Sequence, residues 1–248
     1  MASEKGKIAF ITGANRGLGY ETARELGEKG VTVVLGSRDK ALGEQAAEKL
    51  KSKGLHAIAF QFDVNNLTDH KKIYDYLEKN YGRLDILINN AGVMLDNATD
   101  GKNRTSVTSQ DILRKTFDAN FFNLIALTQT LLPLIKKSPS GRIVNLSSIL
   151  GSSTLHANPS SPIYDLKAFA YNASKTALNA FTIHLAHELK DTSIKVNSAH
   201  PGWVKTDMGG PSAPMEVEEG GKTSTELALL PDNGPSGGFF HLGEKLPW

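Results

Sequence analysis

Lys7-Ile8-Ala9-Phe10-Ile11-Thr12 runs directly into Gly13-Ala14-Asn15-Arg16-Gly17-Leu18-Gly19. A short apolar, strand-like run thus meets a glycine-rich turn at the mouth of a helical segment. Glycines let a backbone turn tightly and come close to a pyrophosphate. The free N–H groups and positive dipole end of the following helix receive the charge. The spacing is G-x-x-x-G-x-G and not G-x-G-x-x-G, so the turn alone is only suggestive. Its place between a strand and a helix makes nucleotide binding the better reading. Gly13, Asn15, Arg16, Gly17, Leu18 and Gly19 are the candidate contacts.

Downstream of this turn the same alternation repeats. β-branched, apolar runs at 31–36, 57–63, 84–90, 141–148 and 194–199 alternate with helix-period segments at 17–29, 41–53, 69–80, 111–136 and 171–190. That order predicts an α/β fold, one doubly wound parallel sheet flanked by helices on both faces. No linker divides the chain, so 1–248 is expected to be a single domain, a size able to bury a large core. After His200 the composition changes: six of the ten prolines fall there, with many glycines. This tail is expected to form loops closing over a site in preference to sheet core.

The second strand ends Leu35-Gly36-Ser37-Arg38, where an NAD-preferring fold usually places an acid against the ribose 2′-hydroxyl. No acid occurs there until Asp39. Arg38, with Arg16, offers guanidinium groups to a 2′-phosphate, which favours NADP(H). The competing reading makes Arg38 a solvated loop residue and Asp39 a helix cap.

Of six tyrosines, only Tyr171 has a lysine four residues on, Lys175. Just over one helical turn apart, the phenol and the ammonium share a face. A phenol titrating near pH ~10 is expected to become more acidic beside a fixed positive charge. The pair is therefore a candidate proton donor.

Net charge is only +2, with lysines scattered among glutamates, so no phosphate-backbone footprint exists and nucleic acid is not an expected partner. The absence of cysteine excludes disulfides, thiol nucleophiles and cysteine-based zinc sites. No apolar run reaches membrane-spanning length, and a cytoplasmic protein with no membrane partner is expected. His184 and His187 lie three apart on a helix, but no third ligand is evident, so no metal is assigned.

Taken in order, Thr12-Gly13 through Gly17 and Gly19, Asp63, Asn89-Asn90-Ala91-Gly92, Asn120, Ser147-Ser148, Tyr171 with Lys175, and Pro201-Gly202 followed by Thr206 resemble the short-chain dehydrogenase/reductase family. The stretches 141–149 and 201–208 are most similar to its carbonyl reductase branch. The resemblance implies a Rossmann-like fold and catalytic roles for Asn120, Ser148, Tyr171 and Lys175. Tyr171 protonates the carbonyl oxygen in reduction and takes the alcohol proton in oxidation. Lys175 binds the nicotinamide ribose and keeps the phenol acidic, Ser148 holds the substrate oxygen, and Asn120 anchors a water leading protons from the lysine. Asp63 and Val64 are implied at the adenine, and Asn90, Ala91 and Gly92 along the adenosine and ribose. Thr206 is implied as a hydrogen-bond partner of the carboxamide, with Pro201, Gly202 and Val204 among the cofactor contacts. Asn89 is expected to bond neighbouring strands and to leave the ligand alone.

Three loops, at 93–108, 150–170 and 202–221, are expected to shape the substrate cleft, the last as a lid. The middle one is longer than is common in the family, which implies obstructed helix packing between subunits and hence a monomer, with a closed symmetric homo-oligomer as the alternative. Leu155, Ile163, Tyr164, Trp203 and Met208 suggest a neutral or moderately apolar ketone or aldehyde. The expected function is NADP(H)-dependent interconversion of a carbonyl and an alcohol. The alternative is a sensor or scaffold that binds NADP(H) without turnover.

Overall fold

The computed structural model describes residues 6–96 and 105–248; the middle of the expected cleft loop 93–108 lies outside the described residues. Six strands fall where periodicity places them: β1 (Ile8–Thr12), β2 (Thr32–Ser37), β3 (Ala57–Gln61), β4 (Ile86–Asn89), β5 (Arg142–Leu146) and β6 (Lys195–Ala199). Two more, β7 (Phe239–His241) and β8 (Glu244–Lys245), complete a sheet of order β3-β2-β1-β4-β5-β6-β7-β8. Pairing is parallel from β3 through β7, and only β8 runs antiparallel.

Alternation along the strands feeds two cores. Ile8 and Phe10 of β1 pack with Ile73, Leu77, Leu127, Leu131 and Leu185 on one face. These come from α3 (Leu67–Tyr81), α5 (Asn123–Ile135) and α7 (Phe169–Glu188). Ala9 and Ile11 face the opposite way, toward Ala23, Leu26, Ala46, Leu50 and Leu227. Those belong to α1 (Gly17–Glu28), α2 (Lys40–Lys51) and α8 (Val217–Ala228). The sheet is thus doubly wound. Strand order reverses between β1 and β4, and the crevice beyond their carboxyl ends is where such sheets bind ligands.

Two expectations are corrected. The tail after His200 is not loop alone: α8 starts inside the expected lid, and Phe239, fully buried, adds a strand to the sheet beside Ser198. Its glycines serve close packing. A Cβ on Gly220 would lie 2.6 Å from Val204 Cγ2 and 2.7 Å from Leu18 Cδ2, and one on Gly221 2.8 Å from Glu21 Cγ. The β7–β8 turn uses left-handed Leu242 (φ 45°) and Gly243 (φ 82°), the twist a tight hairpin needs. Leu242 N–H donates to Thr223 Oγ1 on α8 at 2.9 Å, which anchors this strained residue.

The segment 111–136 is not one continuous helix. α4 (Gln110–Phe117) is separated from α5 by a π turn at Asp118–Phe122, with Asn120 at its centre. π turns occur often at functional sites. The short α6 (Ser153–Ala157) lies in the expected cleft insertion.

A buried polar chain crosses the sheet. Asn89 Nδ2 donates to Thr128 Oγ1 (3.0 Å) and Asn145 Oδ1 (2.9 Å). Asn145 Nδ2 donates to Thr182 Oγ1 (2.9 Å), which meets Ser198 Oγ at 2.9 Å. Asn89 does tie neighbouring strands, as expected. Among the described residues no helix is long and apolar enough to cross a membrane.

Candidate active site

The glycine-rich turn leaves β1 with Gly13 (φ 64°) and Gly17 (φ 54°) in the left-handed region, where a side chain would strain the backbone. A Cβ on Gly19 would fall 2.5 Å from Asn90 Nδ2 and 2.6 Å from Gly13 O. Whereas α2, α3 and α4 are closed by Asp39, Asn66 and Ser109, the N-cap of α1, Arg16, makes no side-chain cap. The first N–H groups of α1 are therefore left for an anion. Asn15 and Leu18 stand in the same turn, partly buried.

Asn90 is spent on this turn. Its Nδ2 donates to Thr12 O (2.8 Å) and Gly13 O (3.1 Å). The N–H groups of Asn90 and Ala91 converge on Thr12 Oγ1 at 3.0 and 2.9 Å. Asn90 thus welds the β4 exit to the turn. At the β2 exit Asp39 Oδ1 accepts from Leu42 N at 2.9 Å. The carboxylate serves α2, as the competing reading had it, while Arg38 stays exposed. Arg16 reaches across to Asp207 at 2.7 Å, both well exposed. Beyond β3, Asp63 Oδ1 accepts from Asn65 N at 3.0 Å, and buried Val64 gives its carbonyl to His70 Nε2 at 2.8 Å.

Past β4 the chain meets α7. Tyr171 and Lys175, on its first two turns, are 7% and 4% exposed, with the ammonium 5.7 Å from the phenol ring centroid. Lys175 Nζ donates to Leu146 O at 2.7 Å. Ser148, at the β5 exit, accepts Leu150 N–H at 3.2 Å and is hydrogen-bonded to Tyr171. Ser147 instead bonds Asn179 Oδ1 on α7 at 2.7 Å. Gly151 packs directly on the lysine, for a Cβ there would lie 2.9 Å from Lys175 Cβ.

Asn120 is fully buried in the π turn. Its Oδ1 accepts from Val93 N and its Nδ2 donates to Val93 O, both at 2.8 Å, and Nδ2 also donates to Ser174 Oγ at 3.0 Å. The side chain braces three elements. Above the β6 exit, His200 Nδ1 accepts N–H groups from Ile149 (3.2 Å) and Gly202 (3.4 Å). Pro201 and Gly202 are thereby held beside the Ser148 segment. Val204 is buried against α8, and Thr206 Oγ1 accepts from Gly209 N at 3.1 Å. Gly17 and Thr206 come close enough that a Cβ on the former would touch the latter's methyl at 3.7 Å.

The expected acidification of Tyr171 is reversed among the chain's own groups. Burial pushes its pKa up to about 12, opposed by the Ser148 hydrogen bond. Burial likewise pushes Lys175 down to about 8. In each group desolvation disfavours the charged form. Of the expected cleft residues, Ile163 is buried in the insertion, whereas Tyr164, Trp203 and Met208 remain exposed.

Asp96 escaped the sequence reading. Only 2% exposed, it accepts Ala170 N at 2.6 Å and Tyr171 N at 3.1 Å. The partners are 74 and 75 residues away, and no local pattern signals the pairing. Asn145, in the polar chain below, escaped for the same reason.

A doubly wound sheet whose crevice gathers a serine, a tyrosine and a lysine defines a class, the oxidoreductases of α/β dinucleotide type. The family profile for short chain dehydrogenases matches residues 7–217. The (+)-neomenthol dehydrogenase of Capsicum annuum is 31% identical over 304 residues, covering 96% of each chain. That span exceeds this chain's length, so the pepper enzyme carries segments absent here. Carbonyl reductase [NADPH] 1 of Mus musculus is 32% identical over 97% of this chain and 98% of its own. An NADPH-bound carbonyl reductase from chicken fatty liver superposes with a TM-score of 0.83, at 26% identity, over 98% of this chain and 100% of the other. The chain belongs to the short-chain dehydrogenase/reductase family and is an oxidoreductase.

Proposed function

We propose that the protein reduces a ketone or aldehyde, or oxidises the matching alcohol, with NADP(H) as cofactor and Tyr171 as acid/base. The observation that carries this reading is the burial of Tyr171 and Lys175 together, with Ser148 on the phenol. The residues present fit the dinucleotide. The uncapped start of α1 and the glycine cradle suit a pyrophosphate, and Arg16 and Arg38 suit a 2′-phosphate, with Asp39 committed elsewhere. When bound, NADPH supplies the hydride.

The chain's own part is positioning and proton handling. Ser148 and Tyr171 would share the substrate oxygen, with Leu150 N–H orienting the serine. A phenol held near 12 is fully protonated at neutral pH, so it is loaded to donate as negative charge gathers on the carbonyl oxygen. Lys175 would hold the ribose hydroxyls and restore the phenol's proton. Asn120 fixes the distance between α7 and the β4 exit. Asp63 and Val64 would border the adenine, and Ala91 and Gly92 the ribose. Pro201, Gly202, Val204 and Thr206 would border the carboxamide. The exposed apolar surface of Tyr164, Trp203 and Met208 suits a neutral, moderately apolar carbonyl compound.

Tyr171→Phe decides the matter when NADPH oxidation is followed with aromatic, cyclic terpenoid and steroid ketones. Turnover is expected to fall by about 10²–10⁴-fold while NADPH affinity holds. Intact turnover would remove Tyr171 from its role. Binding of NADPH without reduction of any carbonyl by the wild type would favour the sensor.

A further inference from the structure

We propose that Asp96 is the positioning residue of the proton donor, a buried carboxylate that closes the start of α7 and sets where the Tyr171 hydroxyl stands. The inference rests on the reading of Tyr171 as the acid/base. A helix leaves its first N–H groups without intrahelical partners, and Ala168, the N-cap of α7, has no side chain to satisfy them. Asp96 does so from outside the helix, with Oδ2 on Ala170 N–H (2.6 Å) and Oδ1 on Tyr171 N–H (3.1 Å). The second of these is the backbone of the proton donor itself.

The segment 93–96 therefore straps α7 at two heights. Val93 exchanges two hydrogen bonds with Asn120, which bonds Ser174 on the second turn. Asp96 takes the first turn. A helix held at both points cannot slide or tilt about its start, and Tyr171 is the third residue of that helix. An anion also favours this end of the helix dipole. Tyr171 is faced by Lys175 on its own helix, by Ser148 from the β5 exit and by Asp96 from the strap. The anion is the member of this set that opposes phenolate formation.

The test compares Asp96→Ala, Asp96→Asn and Tyr171→Phe with wild type in the full chain. It measures kcat and KM for reduction, NADPH affinity by fluorescence, and the pH profile of alcohol oxidation. Asp96→Ala is expected to lower kcat by up to about a hundredfold, the cost of a misplacement near 1 Å, with a much smaller loss of NADPH affinity, because the phosphates are held at α1 and only the Lys175 contact to the ribose rides on α7. Asp96→Asn keeps one acceptor and is expected to recover most of kcat. The limb of its oxidation profile that rises with pH should move to lower pH, because losing the anion stabilises the phenolate that takes the alcohol proton. A kcat for Asp96→Ala near wild type, while Tyr171→Phe is inactive, overturns the proposal and leaves the site reading intact. Turnover by Tyr171→Phe removes the site reading, and the proposal with it. Should Asp96→Ala not fold, a pH profile and kcat of Asp96→Asn both equal to wild type overturn it.

Discussion

His200 ends β6 with its Nδ1 accepting two backbone N–H groups, so the ring must be neutral to hold the Ile149 and Gly202 segments together. Burial, reinforced by His241 whose ring centroid lies 4.9 Å away, pushes its pKa down from 6.5 to about 3. The unfolded chain takes up this proton below its ordinary value, and the folded chain does not until about pH 3. Acid thus favours unfolding, and the stability present above pH 6.5 is lost as pH falls toward 3. Thermal melts should show wild type losing about 2–3 kcal/mol from this group between neutral pH and about pH 4.5. His200→Asn, which keeps an acceptor near Nδ1, should show a shallower loss; equal slopes would reject the account. At this scale the sequence was partly readable. The Tyr171–Lys175 pair could be picked out because a helical turn is local, whereas Ser148 entered only through the family resemblance. Asp96 and the direction of the Tyr171 shift could not, because each depends on what the fold buries beside it.

Among the elements, α8 was hidden by the glycines that let it form where it does. Gly220 and Gly221 read as loop residues, yet they are the contact surface between α8, Val204 and the start of α1. Gly220→Ala raises helix propensity by about 1 kcal/mol but drives a methyl group into Val204 and Leu18, an overpacking worth about 1–3 kcal/mol. A net loss of stability is expected in thermal melts, with weaker NADPH binding because Leu18 belongs to the glycine-rich turn proposed to cradle the pyrophosphate. An unchanged melting point with unchanged affinity would show that the interface yields freely. Strands β1 to β6 were legible because they are short apolar, β-branched runs, near-continuous where both faces are buried. The π turn was not, since the 111–136 pattern is helical throughout and the extra residue is accommodated by Asn120 bonding Val93 and Ser174.

Across the whole molecule, doubly wound order brings the exits of β1, β2 and β4 to one crevice, and the segment after Pro201 arrives from the opposite half of the chain. Its point of arrival is Asp207 on Arg16, an exposed pair whose strength in water is small. Replacing both Arg16 and Arg38 by alanine should reduce the preference for NADPH over NADH by about tenfold or more, given the usual worth of a charge-assisted hydrogen bond. Paired dissociation constants check this, and an undiminished preference would contradict it. The arginine is also contested by two anions. A 2′-phosphate that draws on this guanidinium would meet the Asp207 carboxylate as a like charge, so capture of the nucleotide would loosen the hold of Asp207 on the glycine-rich turn. Asp207→Asn ends that rivalry. NADPH should then bind more tightly while NADH, which never competes for the guanidinium, binds as before.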